Sequence, residues 1–285
     1  MIVFPNCKIN LGLNITGKRA DGYHDLETVF FPVRLTDILE IILKKNFKSE
    51  MGTGSFAQFT SSGIPLPIDL KENICLKAFQ IAISAAVDEI PSLEIHLHKT
   101  IPAGAGLGGG SADGAFTLML LNDLLKLNLT TDQLLQYALA LGSDCPFFII
   151  NKPCFATGRG EILQEINLDL SDYKIIIVNP GIHINTANAF SKIKPAIPAK
   201  SIKEIIQQPI TTWKDELKND FENAVFEEYP EVAVIKKTFY DNGAVYASMS
   251  GSGSTAYGIF NQSQTLSFNF PEQYFVYTEP HRNIV

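Results

Sequence analysis

The stretch Ile101–Ala115, IPAGAGLGGGSADGA, decides the fold of this 285-residue chain. Five glycines lie within Gly104–Gly110, and Ser111 follows them at the start of an apolar pattern with helical spacing. Glycine permits positive φ and close approach of the backbone to a ligand. Ser111 is a suitable N-cap for a helix that continues to about Leu125. Such a helix N-terminus presents unpaired N–H groups and about half a positive charge to an anion. The stretch therefore predicts a phosphate-binding loop.

Two common types of glycine-rich phosphate loop do not fit this sequence. Gly104, Gly106 and Gly109 satisfy the dinucleotide-binding spacing, but a helix is predicted where that fold needs a second strand ending in an acidic residue. The Walker A pattern fails because no Gly-Lys-Ser/Thr follows the glycines. A flexible surface turn is the remaining alternative. It is disfavoured because such turns rarely lead directly into a capped apolar helix.

Composition excludes several classes of protein. The formal charge of −7 disfavours a nucleic-acid partner, which usually meets a basic surface. A membrane partner is not expected, because no apolar run approaches the roughly 18 residues of a membrane helix. The start, MIVFPNCKIN, lacks the order of a signal peptide, which favours the cytoplasm. The scattered cysteines are expected to be reduced thiols. Neither composition nor motifs indicate an oligomeric state.

The pattern of elements predicts an α+β protein of two domains, residues 1–156 and 157–285, because strands and helices mix without a regular βαβ rhythm. Thr131 is expected to cap a helix that ends at Gly142, with Leu134, Leu135, Ala138 and Leu139 facing the core. The polar stretch Lys48–Gly63 suggests a loop or a weak hairpin. Predicted strands are 8–16, 28–35, 38–43, 93–98, 173–178, 244–248 and 255–260. Further predicted helices are 73–87, 187–193, 201–207, 220–226 and 230–240.

Four segments together resemble the GHMP kinases. They are the glycine loop, the opening with Pro5–Leu11 and Gly17–His24, the segment Gly142–Phe148, and the second glycine turn Met249–Gly253. They follow the order of the family across nearly the whole chain. The resemblance implies a two-domain α+β fold with the active site in the cleft between the halves.

Lys8 and Gly22-Tyr23-His24 narrow the resemblance to one branch of that family. The branch uses ATP to phosphorylate the 2-hydroxyl of a cytidine-diphosphate-linked methylerythritol, a step in non-mevalonate isoprenoid synthesis. Two alternatives stay open. One is a GHMP kinase for another small alcohol, such as homoserine or a mevalonate, and the other is a non-catalytic nucleotide-binding relative.

The resemblance assigns the catalytic pair to Lys8 and Asp144. An aspartate is a weak base for an alcohol, with a pKa of about 3.9. Orienting the hydroxyl and accepting its proton late suffices for a loose phosphoryl-transfer transition state. Lys8 would keep Asp144 ionised. From spacing alone, a surface salt bridge is the simpler explanation of both residues.

The family match places ATP at the glycine loop and two flanking residues. Asn73 and Lys99 match positions near adenine, although a solvent-facing strand end explains Lys99 equally well. Asp113 lies beside the loop, but its position in the first helical turn suffices to explain it. The expected ATP-binding residues are Asn73, Lys99, Pro102, Ala103, Gly104, Ala105, Gly106, Leu107, Gly108, Gly109, Gly110, Ser111 and Ala112.

The resemblance places the cytidine at four residues. Tyr23 would offer an aromatic face, His24 a hydrogen bond to the base edge, Phe190 the opposing face, and Thr186 a polar contact. The simpler explanations are hairpin closure for Tyr23 and His24, and a core position for Phe190.

Mg²⁺ is expected to arrive with ATP, and the sequence indicates no protein ligand for it. Two histidines, His96 and His98, share one strand face. A solvated face is the favoured interpretation, because no third ligand is evident nearby.

Overall fold

The computed structural model describes residues 1–44, 57–66, 72–86 and 91–280. Contacts divide the chain into two compact units, each built from separate stretches. Unit 1 comprises Met1–Cys7, Leu35–Ala103 and Gly109–Asn151. Unit 2 comprises Lys8–Arg34, Gly104–Gly108 and Lys152–Val285. The domain boundary after residue 156 stays a prediction.

The elements follow one another in mixed order along the chain. The strands are β1 (Ile2–Val3), β2 (Asn6–Lys18), β3 (His24–Thr36), β4 (Ile38–Leu43), β5 (Ala57–Gly63), β6 (Leu93–Lys99), β7 (Cys154–Thr157), β8 (Ile162–Glu165), β9 (Tyr173–Asn179), β10 (Tyr246–Met249), β11 (Ala256–Asn261) and β12 (Phe275–Thr278). The α-helices are α1 (Ile74–Ala85), α2 (Gly109–Leu125), α3 (Thr131–Leu141), α4 (Cys145–Ile150), α5 (Thr186–Ser191), α6 (Ile202–Ile205), α7 (Trp213–Glu216), α8 (Glu222–Glu228) and α9 (Pro230–Asp241).

Unit 1 consists of helices packed on one face of a sheet. Its described strands have the order β1-β4-β6-β5, and β5 runs parallel to β6 while the other pairs are antiparallel. In β6 the sequence LEIHLHK alternates, so its apolar side chains enter the core and its histidines face outward. Phe79 of α1 and Leu121 of α2 pack against these apolar strand residues. This packing fixes β6 and α2, the two elements that flank the glycine loop.

Unit 2 contains two sheets among its described residues. One has the order β2-β3-β7-β8, and the other has the order β10-β11-β9-β12. The central strand β9 is a continuous apolar run, and its Ile176 and Val178 pack in a core with Phe239 of α9 and Phe260 of β11. The turn between β10 and β11 is the second glycine motif.

The structure confirms the mixed α+β class and corrects four local predictions. The helix after the glycine loop begins at Gly109 rather than at Ser111, because both preceding glycines adopt the helical conformation. The N-cap of α3 is Thr130 and not Thr131, since Thr130 and Gln133 form a capping box. In α3 only Leu134 and Ala138 are buried, and Leu139 is exposed.

The fourth correction concerns the predicted loop or hairpin over Lys48–Gly63. Residues 57–63 form strand β5, while residues 48–56 lie outside the described part of the chain. Polar composition concealed the strand, because only Ala57 and Phe59 pack against the core. The other residues of β5 are held in an extended conformation by parallel pairing of their backbone with β6.

None of the helices within the described ranges is long and apolar enough to cross a membrane.

Candidate functional site

The glycine loop connects the end of β6 to the start of α2. Gly104, Gly106 and Gly108 all have positive φ, between 65° and 79°, a conformation that residues with a Cβ rarely adopt. Gly109, Gly110, Ser111 and Ala112 form the first turn of α2. The first N–H groups of a helix have no partner within it, so this turn can bind an anion. The loop has the geometry of a phosphate-binding site.

Within unit 2, Gly106 packs against the second glycine motif. The Ser250 hydroxyl donates a hydrogen bond of 2.8 Å to the carbonyl oxygen of Gly106. A Cβ atom on Gly106 would lie 2.0 Å from the carbonyl oxygen of Ser250. The imidazole of His183 lies beside Gly104, where a Cβ would be 3.3 Å from its Nδ1. Neither Ser250 nor His183 was among the sequence-predicted site residues, although Ser250 belongs to the second glycine turn that resembles the family motif.

Lys8 is a buried lysine whose ammonium group is held by polar partners of unit 2. Its Nζ donates to Asn10 Oδ1 at 2.5 Å and to the carbonyl oxygen of Gly106 at 3.3 Å. It also lies 4.9 Å from the centre of the Phe30 ring. Because Lys8 is only 4% exposed, a surface salt bridge is the wrong explanation for it. The structure instead connects Lys8 to the glycine loop.

Asn10 is a functional candidate that sequence analysis missed. It is buried, and its amide donates to Thr28 Oγ1 at 3.0 Å while its side-chain oxygen accepts from Lys8. The Ser250 side chain also bonds to the Asn10 backbone N–H at 3.2 Å. A polar residue within the buried run of β2 was the available signal. Asn10 orients the Lys8 ammonium group.

Lys99 is completely buried in unit 1, so a solvent-facing strand end is the wrong explanation. Its side chain is 1% exposed, and Nζ donates to Asp37 Oδ2 at 2.5 Å and to Asp113 Oδ2 at 2.7 Å. Burial disfavours the charged form of Lys99, but the two carboxylates outweigh it and raise its pKa. Asp37 was not among the sequence-predicted residues, because it lies 62 residues away from Lys99 in the chain.

Asp113 is not explained by its position near a helix start. It is 2% exposed, and Oδ1 has no hydrogen-bond partner among the residues that the structure describes. Burial raises the pKa of Asp113 to about 8, a change that Lys99 opposes and Asp37 reinforces. Asp113 therefore belongs to a buried polar cluster, which consists of Asp37, Lys99 and Asp113.

Asp144 begins helix α4 in unit 1. It occupies the N-cap position and makes no side-chain capping bond, while Pro146 follows in the first turn. The next residue, Cys145, is buried, and its thiol forms a hydrogen bond with the Ser111 side chain. Burial raises the pKa of the Cys145 thiol to about 12. The segment containing Asp144 therefore packs against the first turn of α2.

Asn73 is the N-cap of α1. Its side-chain oxygen accepts from the backbone N–H groups of Cys75 and Leu76, at 2.9 and 3.3 Å. Capping explains the burial of Asn73, and its predicted contact with adenine stays a prediction.

The four residues expected at the cytidine all belong to unit 2. His24 stacks directly on Phe190, with ring centres 4.9 Å apart and planes at 18°. Phe190 is also in edge contact with Phe221. Tyr23 closes the β2–β3 hairpin through its backbone and exposes its ring to the Arg159 guanidinium at 4.9 Å. The Thr186 hydroxyl lies 3.1 Å from that of Ser252, in the second glycine motif.

The outward histidines of β6 bond to hydroxyl groups of β5. His96 contacts Thr60 and Ser62, and His98 contacts Ser62. Within the described residues, no group of three or more His, Cys, Asp or Glu side chains is arranged to hold a metal ion.

Comparison with family models defines the class of this protein. Residues 73–152 match the model described as GHMP kinases N terminal domain, and residues 201–268 match GHMP kinases C terminal. The two matches cover more than half of the chain and include the glycine loop, Asp144 and the second glycine motif. The class is therefore that of the GHMP kinases, which act on small molecules.

Individual relatives narrow that class. The chain is 46% identical over 267 residues to 4-diphosphocytidyl-2-C-methyl-D-erythritol kinase of Bacteroides fragilis, covering 94% of each chain. The crystal structure of a 4-(cytidine 5'-diphospho)-2C-methyl-D-erythritol kinase is 29% identical, with a TM-score of 0.76 and coverage of 91% and 90%. A homoserine kinase from Cytophaga hutchinsonii is similar in fold, with a TM-score of 0.62, 15% identity and coverage of 97% and 95%. The chain belongs to the family of the 4-diphosphocytidyl-2-C-methyl-D-erythritol kinases.

Proposed function

We propose that this protein transfers the γ-phosphoryl group of ATP to the 2-hydroxyl of 4-diphosphocytidyl-2-C-methyl-D-erythritol, a step in non-mevalonate isoprenoid synthesis. The main structural support for this proposal is the position of Lys8. The buried Lys8 ammonium group lies 3.3 Å from the carbonyl oxygen of Gly106, within the predicted phosphate loop. A lysine held beside a phosphate loop can stabilise the charge of a transferring phosphoryl group.

The chemical step requires an oriented hydroxyl and a place for its proton. Asp144 is the proposed acceptor of that proton, and Lys8 is proposed to stabilise the ionised forms of Asp144 and of the attacking oxygen. Because the transition state of phosphoryl transfer is loose, the proton leaves late and a weak base suffices. Asn10 holds Lys8 in position by accepting a hydrogen bond from its ammonium group.

ATP is proposed to bind along Pro102–Ala112, through the backbone N–H groups of the residues after Pro102, with Asn73 near the adenine. Mg²⁺ is proposed to arrive on the phosphate oxygens of ATP, which carry the ion in this chemistry. No residue of the chain is assigned to the ion. Cys75, Cys145 and Cys154 are buried thiols that form no disulfide bond, which supports a reducing compartment such as the cytoplasm.

The cytidine is proposed to bind at Tyr23, His24, Thr186 and Phe190. Tyr23 offers an exposed ring face, and the imidazole of His24 offers hydrogen bonds to the edge of the base. The stack of His24 on Phe190 supports a role for both rings in one small aromatic site.

Substitution at the catalytic pair tests the proposal. We expect Asp144→Asn and Lys8→Ala to lower kcat by at least about a hundredfold, because general acid–base groups contribute about 100- to 10,000-fold. ADP release with the cytidylyl substrate measures kcat, and calorimetry of ATP binding shows whether the loop is intact. Asp132→Asn, at an exposed position on α3, is the control. Near-normal turnover by either variant would exclude its catalytic role.

Acceptor specificity tests the alternatives. The wild-type protein should release ADP with the cytidylyl substrate and not with homoserine or mevalonate. Turnover with homoserine or mevalonate alone would overturn the proposal in favour of another GHMP kinase activity. ATP binding without turnover on any of the three would support a non-catalytic relative.

A further inference from the structure

The end of β6 is fixed by a carboxylate from a distant part of unit 1. Asp37 Oδ1 accepts the backbone N–H groups of Thr100 and Ile101, at 2.6 and 2.8 Å. Asp37 is itself anchored, because its N–H donates to the carbonyl oxygen of Pro5 at 2.8 Å. It thus holds the two residues that lead from β6 into the glycine loop.

The start of α2 is tied to the same carboxylate through Lys99. The Lys99 ammonium group bridges Asp37 Oδ2 and Asp113 Oδ2. Asp113 lies in α2 four residues after its start at Gly109, and a Cβ on Gly109 would be 3.1 Å from Lys99 Nζ. The bridge therefore joins the residue before the loop to the helix after it.

This arrangement differs from the expected contact between Lys99 and adenine. With its side chain 1% exposed and two ammonium protons committed to carboxylates, Lys99 is directed inward. Buried ion pairs contribute little net stability, since desolvation offsets most of the attraction. The three residues are better explained by their effect on the positions of the end of β6 and the start of α2.

We propose that Asp37, Lys99 and Asp113 form a positioning device that holds the glycine loop in the conformation required to bind the ATP phosphates. The residues act through the backbone of the loop and touch no ligand. The inference rests on the proposed function only in assuming that this loop binds ATP. It concerns affinity for ATP and is independent of the acceptor alcohol.

The test measures ATP binding directly, by calorimetry, in Lys99→Met. Methionine has a similar length but cannot bridge the two carboxylates. If loss of the bridge lowers the population of the binding-competent loop conformation to about 1–10%, Kd for ATP rises by about ten- to a hundredfold, and this is the change that we expect. KM for the cytidylyl substrate should change by less than about twofold, since no residue of the device lies among those assigned to the cytidine. Lys44→Met removes the exposed Lys44–Glu94 pair at the other end of β6 and is the matched control.

Two Asp113 variants separate positioning from simple loss of structure. In Asp113→Asn the amide oxygen can still accept from Lys99, so Kd for ATP should stay much closer to the wild-type value than in Asp113→Leu. A purely structural role would instead lower Tm in both and leave Kd unchanged at temperatures where the proteins are folded. If Lys99→Met does not fold, the comparison of Asp113→Asn with Asp113→Leu decides.

The two proposals fail in different ways. A folded Lys99→Met, or a folded Asp113→Leu, with a wild-type Kd for ATP overturns the positioning device and leaves the kinase activity intact. A wild-type protein without turnover on the cytidylyl substrate, together with weakened ATP binding in Lys99→Met, overturns the proposed acceptor and retains the device.

Discussion

At the scale of single residues, Gly106 is the glycine of the loop that tolerates substitution least. Its φ of +79° is strained for residues with a Cβ, and a Cβ would lie 2.0 Å from the Ser250 carbonyl oxygen. We expect Gly106→Ala to abolish measurable ATP binding and to lower Tm, because the contact can be relieved only by separating the glycine loop from the second glycine motif. Calorimetry and thermal unfolding measure the two effects.

Gly110→Ala is the matched control for this substitution. Apart from its chain neighbours and the nearby backbone of α2, no atom of the described residues lies within 4 Å of a Cβ at Gly110, and its φ is not in the left-handed region. Gly110→Ala should retain the wild-type Tm. Equal effects of the two substitutions would contradict the argument from Ser250.

At the scale of elements, Gly114 determines how closely α1 and α2 pack. A Cβ at Gly114 would be 2.7 Å from Ile74 Cγ1. Replacing glycine by alanine inside a helix gains up to about 1 kcal/mol, but overpacking a core costs about 1–3 kcal/mol. We expect Gly114→Ala to lower the free energy of unfolding, measured by urea denaturation.

The double variant Gly114→Ala/Ile74→Ala checks the cause. Removing the Ile74 side chain provides room, so the alanine at position 114 should become stabilising in that background. Additive effects of the two substitutions would show that the contact with Ile74 is not responsible.

Local sequence signals identified most elements but not their long-range partners. The alternation in β6 and the glycine run before α2 depend on neighbouring residues, so the strand, the loop and the helix were predictable. The capping error at Thr131 arose because Thr130 and Thr131 are adjacent and only the Gln133 capping box distinguishes them. Strand β5 was missed because its stability comes from pairing with β6.

The residues of the candidate site likewise divide into those recognisable from local sequence and those that depend on distant partners. Lys8 and Asp144 were found through short motifs that resemble a family. Spacing alone favoured a surface salt bridge, because burial is invisible in a local pattern. Asp37 could not be found, since its partner Lys99 is 62 residues away and no local pattern connects them. The position of Lys99 beside adenine was implied by the family resemblance, and its two buried carboxyl partners do not favour that contact.

At the scale of the whole molecule, Asp113 makes the free energy of unfolding depend on pH. Burial raises its pKa to about 8, whereas an unfolded aspartate has a pKa of about 3.9. The folded state therefore binds more protons over that interval, and the stabilisation is complete below about pH 4 and lost as pH rises through about 8. The charged or titratable groups that act on Asp113 are Lys99 on β6, Asp37 before β4, and Cys75 on α1, whose thiol pKa burial raises to about 12.

We therefore expect the free energy of unfolding to decrease between about pH 5 and pH 8 in the wild-type protein. The slope should be smaller in Asp113→Asn, which cannot titrate. Urea denaturation across that range measures both, with Asp132→Asn as an exposed control. Parallel curves for Asp113→Asn and the wild-type protein would show that Asp113 is ionised in the folded state.

The stack of His24 on Phe190 has a thermodynamic consequence for base selection. If the cytidine takes the face of Phe190 that His24 covers, as proposed, the base replaces the imidazole, so binding is an exchange of one stacked pair for another. An aromatic pair contributes about 0.5–1.5 kcal/mol beyond its buried area, and most of that cancels in an exchange. Discrimination between cytosine and uracil then depends on the polar edge of the base, where the displaced imidazole becomes available as a hydrogen-bonding partner.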